Sequence, residues 1–351
     1  MQKRDKTLDR LRCLAMLWVI VVHVLYWGNY IRHQRLQLLM SFILFEMPLF
    51  FFVTGAGNSF SKITGWFRFV YKRWKRILIP YWFFAVICAA LTIGCNALSG
   101  DRNLLYGVQI LFSWLIPIDR QINSVPYLTW ALWFIPVYLC VILVLPVLKR
   151  MHGSKRPFAF LALLTVLFVG TCVFQMGWIQ NVVFYALWTY VGLFYRDILT
   201  AIRKRRVRWV LALSAIVGMA VIYFLHAKGF SVDMQANKFP PSLIFGIFSV
   251  SVMSLILMLI PGIESVFEFL EKWAPARRLL HLYSSRSLTI YLYQVFAFNL
   301  TLRFTDAVIS GTGLAASLVK SILCLVVTIP VCAAFATVFG CVEDLGTEKF
   351  L

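Results

Sequence analysis

The sequence predicts an all-α protein, a polytopic membrane helix bundle with about ten transmembrane helices and both termini in the cytoplasm. Composition is the first reason. Of the 351 residues, 61% are hydrophobic and only 14% are charged, which is much less charge than a water-soluble protein of this size carries. The mean hydropathy is +0.81. The apolar residues also fall in runs of about the ~20 residues that a membrane-spanning helix needs.

The distribution of basic residues gives the predicted orientation. The formal net charge is +20, but the lysines and arginines cluster between the apolar runs rather than forming one face for nucleic acid. Because cytoplasmic loops of membrane proteins carry an excess of lysine and arginine, the basic segment 3–12 places the N-terminus in the cytoplasm. The dense clusters at 62–76, 149–156 and 203–208 are assigned to the same side.

With these assignments the chain divides into ten predicted spans within a single membrane-embedded domain, residues 1–351. No signal peptide is expected, since the first apolar run is too long and is followed by no small-residue cleavage site. The predicted spans are residues 12–28, 37–58, 77–98, 128–148, 157–176, 181–198, 209–226, 241–262, 287–305 and 314–341.

The segment 99–127 contains one more apolar run that we do not count as a span. Leu104–Pro117 has fourteen residues, which is shorter than a crossing requires. If it crossed, the basic cluster at 149–156 would lie outside. We therefore expect a re-entrant or interfacial helix in an external excursion.

The cysteines indicate neither a metal site nor a disulfide framework. All eight fall within or at the ends of apolar runs, and the sequence contains no C-x-x-C and no Cys/His pairing. We expect them to behave as small hydrophobic residues, and no metal site is predicted.

Two ionisable residues mark the first apolar segment. Arg12 lies at its start and His23 lies within it, where a titratable side chain is costly enough to indicate a function. Eleven residues at about 100° each place them on nearly the same face of a helix, roughly 16 Å apart along its axis. The structural alternative is that Arg12 is an interfacial anchor and His23 bonds to a neighbouring helix.

The second segment contains Glu46, a carboxylate that is rare in lipid and usually faces a partner inside the bundle. We expect Glu46 either to pair with an arginine or a histidine, or to orient His23 and handle its proton. The small residues 54–57 that follow it allow close approach of a helix or of a ligand tail, and helix packing is the commoner reason.

A basic amphipathic stretch, WFRFVYKRWKR, precedes the third segment. Arg73 and Arg76 are three residues apart, so they are neighbours on one helix face. Two guanidinium groups on one face suit phosphate, because each binds a pair of oxygens. The alternative, which holds for most such clusters, is contact with anionic lipid headgroups.

Later segments contribute candidates for the lining of a cavity. Trp133 lies at the start of the fourth segment, where an aromatic belt at the membrane surface is the alternative explanation. Tyr291 and Gln294 share a face of the ninth segment, where each could instead be a bond between helices worth about 1 kcal/mol.

The order of these features resembles the acyltransferase-3 family, integral membrane O-acyltransferases of bacterial type. The resemblance covers the whole chain and rests on five motifs: Arg12-x10-His23, MPLFFFVTG (47–55), Arg73-x-x-Arg76, LWF (132–134) and SLTIYLYQ (287–294).

The family assigns roles to these motifs, and the resemblance carries them to this chain. The histidine of the first motif is taken as catalytic, which implies that role for His23. Glu46 is the second catalytic candidate, from its own position in the second segment rather than from the family pattern. The arginines of the first and third motifs lie on the acyl-CoA side in the family. This implies that Arg12, Arg73 and Arg76 bind the acyl donor.

The chain departs from the family pattern at three points. Gln294 stands where many relatives have the histidine of YLxH, and Glu46 stands where relatives with FHMPLFFF have histidine. An extracellular esterase-like domain is not expected. These departures suggest a different acceptor with the same core chemistry.

The resemblance implies an O-acyltransferase that moves an acyl group, expected to be acetyl, from cytoplasmic acyl-CoA to a hydroxyl of a carbohydrate or glycolipid. Acetyl-CoA would be a co-substrate, and no cofactor would be bound permanently. His23 would act as general base, since neutral imidazole transfers protons near pH 7, although an acyl-histidine intermediate is also compatible.

A proton-coupled secondary transporter or flippase is the alternative function. A buried histidine and glutamate beside a basic cytoplasmic surface suit a carrier, but no inverted repeat is found. In either case the expected location is a bacterial-type plasma membrane, with the lipid bilayer rather than nucleic acid as a partner.

Overall fold

The computed structural model describes residues 5–28, 30–31, 34–61, 63, 65–98, 109, 112–117, 128–129, 131–311 and 313–346. These residues form fifteen α-helices joined by turns. In chain order the helices are α1 (Lys6–Leu25), α2 (Gln34–Ser41), α3 (Glu46–Ser59), α4 (Trp66–Leu98), α5 (Phe134–His152), α6 (Pro157–Val173), α7 (Trp178–Leu193), α8 (Tyr195–Ile202), α9 (Arg205–Ala227), α10 (Met234–Lys238), α11 (Leu243–Leu270), α12 (Ala274–Ser285), α13 (Ser287–Val308), α14 (Leu314–Phe339) and α15 (Cys341–Leu345).

The chain forms two compact units. Unit 1 comprises Met1–Ile63 and Val144–Ser284, and unit 2 comprises Thr64–Leu143 and Ser285–Leu351. One boundary falls within α5, whose first part belongs to unit 2. The single domain expected over residues 1–351 stays a prediction.

Unit 1 is organised around the crossing of α3 and α7. A Cβ atom placed on Gly55 would lie 1.9 Å from the carbonyl oxygen of Thr189, and one on Gly192 would lie 2.1 Å from that of Phe52. Neither position has room for a methyl group, so the two glycines let the helix backbones touch. Gly55, one of the small residues that follow Glu46, therefore serves helix packing.

In unit 2, α13 pairs with α14, and α4 packs against α13 and α15. Two tryptophans of α4 donate to backbone carbonyls of α5: Trp74 Nε1 to Leu139 at 3.1 Å and Trp66 Nε1 to Leu143 at 2.9 Å. These bonds lie in the basic amphipathic stretch, which is continuous with the third predicted span. The two together form one helix of 33 residues.

Each of the ten predicted apolar segments contains an α-helix among the described residues, and two of these segments are interrupted. The second is broken at residues 42–45, between α2 and α3. The sixth bends by 60° between α7 and α8. The apolar pattern continues through both interruptions, so it gave no sign of them.

The protein is a multi-pass membrane protein, and the length and composition of its described helices support some of the predicted spans. Six stretches of the described chain are suited to crossing by length and composition, or seven if α7 and α8 count as one broken span. The count of ten and the cytoplasmic termini therefore stay predictions. The six are Arg35–Ser59, Trp66–Leu98, Phe134–His152, Arg205–Ala227, Leu243–Leu270 and Leu314–Phe339.

The segment 99–127 lies mostly outside the described residues, so its re-entrant or interfacial character stays a prediction. Its described part packs on α4. The Tyr81 hydroxyl donates to the carbonyl oxygen of Trp114 at 2.7 Å, and Trp82 Nε1 donates to that of Leu115 at 3.1 Å.

Candidate functional site

Both units carry predicted site residues, which lie on several helices and, for Trp133, in a turn. The residues of unit 1 are Arg12, His23 and Glu46, and those of unit 2 are Arg73, Arg76, Trp133, Tyr291 and Gln294.

Helix α1 is continuous through Arg12 and His23, so the shared face inferred from their spacing applies. The Arg12 side chain is 31% exposed and pairs with Asp9, one turn earlier, at 3.2 Å. His23 is half-buried in the last turn. A Cβ atom on Gly57 would lie 3.5 Å from Arg12 Nη2, so α3 passes beside this arginine.

A charged network that sequence reasoning missed fixes the start of α1. Arg10 is 7% exposed and donates to Glu271 at 2.9 and 3.1 Å and to Glu268 at 3.2 Å. Thr7 donates to Glu264. The three glutamates lie at positions i, i+4 and i+7, hence on one helix face, and this spacing was the available signal.

The network also has an electrostatic consequence. The hydrogen bond from Arg10 lowers the pKa of Glu271 below its usual range. This carboxylate therefore stays charged at neutral pH and holds the helix that carries the candidate base.

Glu46 takes part in a buried ion pair with a residue that the sequence did not suggest. It begins α3 and is 2% exposed, while Lys238 ends α10 and is 3% exposed. The Lys238 ammonium donates to Glu46 Oε1. Glu46 Oε2 is buried, and the described residues offer it no hydrogen-bond partner.

This pairing corrects one expectation. An arginine or a histidine was expected as the partner of Glu46, and the partner is a lysine. Lys238 lies in a polar segment of unit 1 that two hydrogen bonds hold in place. Met234 N donates to Ser41 Oγ at 3.1 Å, and Gln180 Nε2 donates to the Pro241 carbonyl at 2.6 Å. An orienting role of Glu46 toward His23 stays a prediction.

In unit 2, α4 carries both arginines of the R-x-x-R motif. Arg73 is half-buried, and its guanidinium carbon lies 5.5 Å from the centre of the Phe69 ring, within the range of a cation–π contact. Arg76 is exposed. One turn of helix thus presents two cations of different depth, which suits a ligand that carries several phosphate oxygens.

The short helix α15 is held by two carboxylates. Asp344 accepts from both terminal nitrogens of Arg286, at 2.9 and 2.7 Å. Glu343 is 4% exposed and accepts from the backbone N–H and the hydroxyl of Thr289, both at 2.6 Å. Burial raises the pKa of Glu343, and the Thr289 bonds oppose that shift. The last predicted segment ends at residue 341, so this element was not predicted from the sequence.

The residues expected to line a cavity are bonded within unit 2. The Tyr291 hydroxyl donates to the Ala131 carbonyl, in the turn that carries Trp133. Gln294 is 2% exposed, and its amide donates to the Tyr291 carbonyl at 2.9 Å. Tyr291 therefore positions the LWF turn, while a lining role for the three residues stays a prediction.

Comparison with known proteins gives the family. A family model described as an acyltransferase domain matches residues 5–337. No curated protein and no solved structure matches the chain. The matched stretch contains all of the predicted site residues and is most of the chain. The chain therefore belongs to the acyltransferase-3 family of membrane acyltransferases.

Proposed function

We propose that the protein is an acyl-CoA-dependent O-acyltransferase that transfers an acyl group, expected to be acetyl, to a hydroxyl of a carbohydrate or glycolipid. Membership of the family supports transferase chemistry. One observation supports the assignment of roles: α1 carries a partly exposed arginine, Arg12, and a half-buried histidine, His23, on the same face.

His23 is the general base in this proposal. A ring nitrogen of the neutral imidazole takes the proton of the acceptor hydroxyl, and the alkoxide oxygen attacks the carbonyl carbon of the thioester. The carbon–sulfur bond then breaks, and the thiolate of coenzyme A receives the proton from the imidazolium. The products are the ester and free coenzyme A, and imidazole is regenerated.

The arginines bind the donor. Coenzyme A carries a diphosphate and a ribose phosphate, and guanidinium groups bind such oxygens in pairs. Arg73 and Arg76 are neighbours on α4, and we assign them to these phosphates. From the family resemblance we assign Arg12, the cation near the start of α1, to the donor as well.

The location follows from the same proposal. With ten spans and both termini in the cytoplasm, the basic residues would meet cytoplasmic acyl-CoA. The membrane would be a bacterial-type plasma membrane. The acyl group would pass from the cytoplasmic donor to an acceptor hydroxyl within the membrane or on its far side.

Family membership favours this enzyme over the proton-coupled transporter. The experiment that separates them uses membrane vesicles containing the full-length protein and the native glycans, supplied with acetyl-CoA. We expect release of free thiol together with acetyl transfer to a glycan. A protein that moves a solute while acetyl-CoA stays intact would be a carrier.

A further inference from the structure

The end of the chain packs on the helix that carries the R-x-x-R arginines. Helix α15 contacts α4, and Gly346, the residue after it, meets α4 at Arg76. A Cβ atom on Gly346 would lie 2.8 Å from Arg76 Cα and 3.3 Å from the Lys75 carbonyl oxygen. The two backbones are thus in direct contact at one arginine of the pair.

Gly346 is needed for its lack of a side chain at this contact and not for an unusual backbone conformation. Its φ of −79° and ψ of −9° are helical values that any L residue adopts without strain. What a glycine provides at this position is the absence of a side chain between the C-terminal segment and α4.

Two anchors hold α15 in place within unit 2. Arg286 binds Asp344 through two parallel hydrogen bonds, and Thr289 holds Glu343 through two more. Gly340, just before α15, allows the first anchor. A Cβ atom there would lie 3.1 Å from Arg286 Cδ, so the arginine passes over this glycine.

The anchors fix the position of α15 against α4, and one of them, Glu343, brings a carboxylate to this contact. Glu343 is held rigidly by Thr289, and Arg76 is one of the cations that act on it electrostatically. The guanidinium of Arg76 remains exposed. Glu343 therefore adds an electrostatic attraction to Arg76, whose guanidinium stays exposed.

We propose that α15 and Gly346 position the Arg73–Arg76 turn of α4 for the phosphates of the acyl donor. Gly346 and Arg286 are then positioning residues. Gly346 lets the C-terminal segment contact the backbone of α4, and Arg286 holds α15 in place through its hydrogen bonds to Asp344. This inference rests on the proposed function, in which the two arginines bind coenzyme A.

The test measures the affinity of the purified full-length protein for coenzyme A by titration calorimetry, and the donor KM with acetyl-CoA in membrane vesicles. The first variant is Gly346→Ala, whose methyl group displaces α4 or the C-terminal segment. The matched control is Gly313→Ala, since Gly313 also has an ordinary backbone and nothing lies within 4 Å of its Cβ position.

We expect Gly346→Ala to weaken coenzyme A binding and raise the donor KM about tenfold or more, as expected when a charge-assisted contact to phosphate is lost. The turnover number should stay within about twofold, because the reacting atoms are not touched. Gly313→Ala should match wild type. A Gly346→Ala protein that binds coenzyme A like wild type would overturn the proposal, as would a loss confined to turnover.

A second variant keeps the proposal testable if Gly346→Ala fails to fold. Arg286→Lys keeps the charge but loses the paired bonds to Asp344, and it changes no atom of α4. Its control is Asp306→Asn, which removes the ion pair with Lys320 elsewhere in unit 2. We expect weaker coenzyme A binding for Arg286→Lys only. Equal affinity in both variants would overturn the positioning role.

A reference variant separates failure of this inference from failure of the proposed function. Arg73→Gln combined with Arg76→Gln should itself weaken coenzyme A binding, while Arg205→Gln with Arg206→Gln, another exposed basic pair, should not. If the first double variant binds normally, the donor assignment is wrong. If it binds weakly and Gly346→Ala binds normally, only the positioning role is wrong.

Discussion

The buried pair of Glu46 and Lys238 gives the sharpest prediction of stability. Lys238→Met removes the ammonium and leaves the Glu46 carboxylate 2% exposed. Glu46 Oε2 already lies without a hydrogen-bond partner among the described residues, so little remains to solvate the charge. Removing one partner of a buried pair costs about 3–5 kcal/mol, a large part of the ~5–15 kcal/mol that stabilises a folded protein.

Replacing both partners should cost far less. In the double variant Glu46→Leu/Lys238→Met no charge stays buried, and such replacements are often neutral or stabilising by about 1–4 kcal/mol. We therefore expect the double variant to be more stable than Lys238→Met alone. Lys320→Met is the control, because its partner Asp306 is 56% exposed and surface pairs contribute only about 0–1 kcal/mol.

The assay is thermal unfolding of the purified proteins in one detergent. At about 2–4 °C for each kcal/mol, Lys238→Met should lower the Tm by at least about 6 °C, and Lys320→Met by a few degrees at most. A Lys238→Met protein as stable as the control, with no recovery in the double variant, would refute the argument from the buried pair.

Two further predictions concern unit 1. Gly55→Ala places a methyl group 1.9 Å from the Thr189 carbonyl oxygen and should destabilise the protein by about 1–3 kcal/mol in thermal unfolding, whereas Gly170→Ala, with nothing within 4 Å, should not. Equal stability of the two variants would contradict the helix crossing. Arg10→Gln should lower the Tm at pH 7, because it removes the hydrogen bond that lowers the pKa of Glu271. A carboxylate with a lowered pKa stabilises the fold at pH values above the ordinary pKa of a glutamate, about 4.3. This stabilisation is lost as the pH falls through the lowered pKa. The difference in Tm from wild type should therefore narrow below about pH 4, and a difference of constant size down to pH 3 would speak against the Arg10–Glu271 bond.

The helices could be predicted from sequence because the information for them is local. Continuous apolar runs indicated each of the ten segments, and the spacing of Arg12 and His23 fixed their common face once both lay on one helix. The breaks at 42–45 and at Phe194 could not be predicted, since the residues there remain apolar. In those places packing against other helices, rather than the local pattern, decides where the helix stops.

The contacts between distant segments could not be predicted. Glu46 was recognised as a carboxylate in need of a partner, but Lys238 lies 192 residues away in a polar segment. Likewise, nothing in the sequence near Gly346 points to Arg76. Such pairs depend on which helices meet, and a single sequence does not contain that information in any local spacing.

The central claim is that one helix carries two functions, donor binding at Arg12 and proton transfer at His23. The direct measurement is the affinity for coenzyme A beside the rate of acetyl transfer, for His23→Ala, Arg12→Ala and the control His226→Ala on α9. We predict that His23→Ala binds coenzyme A normally and loses about 10²–10⁴-fold in transfer rate. Arg12→Ala should bind the donor more weakly, Arg12→Lys should recover only part of that loss, and His226→Ala should behave like wild type. Transfer at the wild-type rate by His23→Ala would contradict the account.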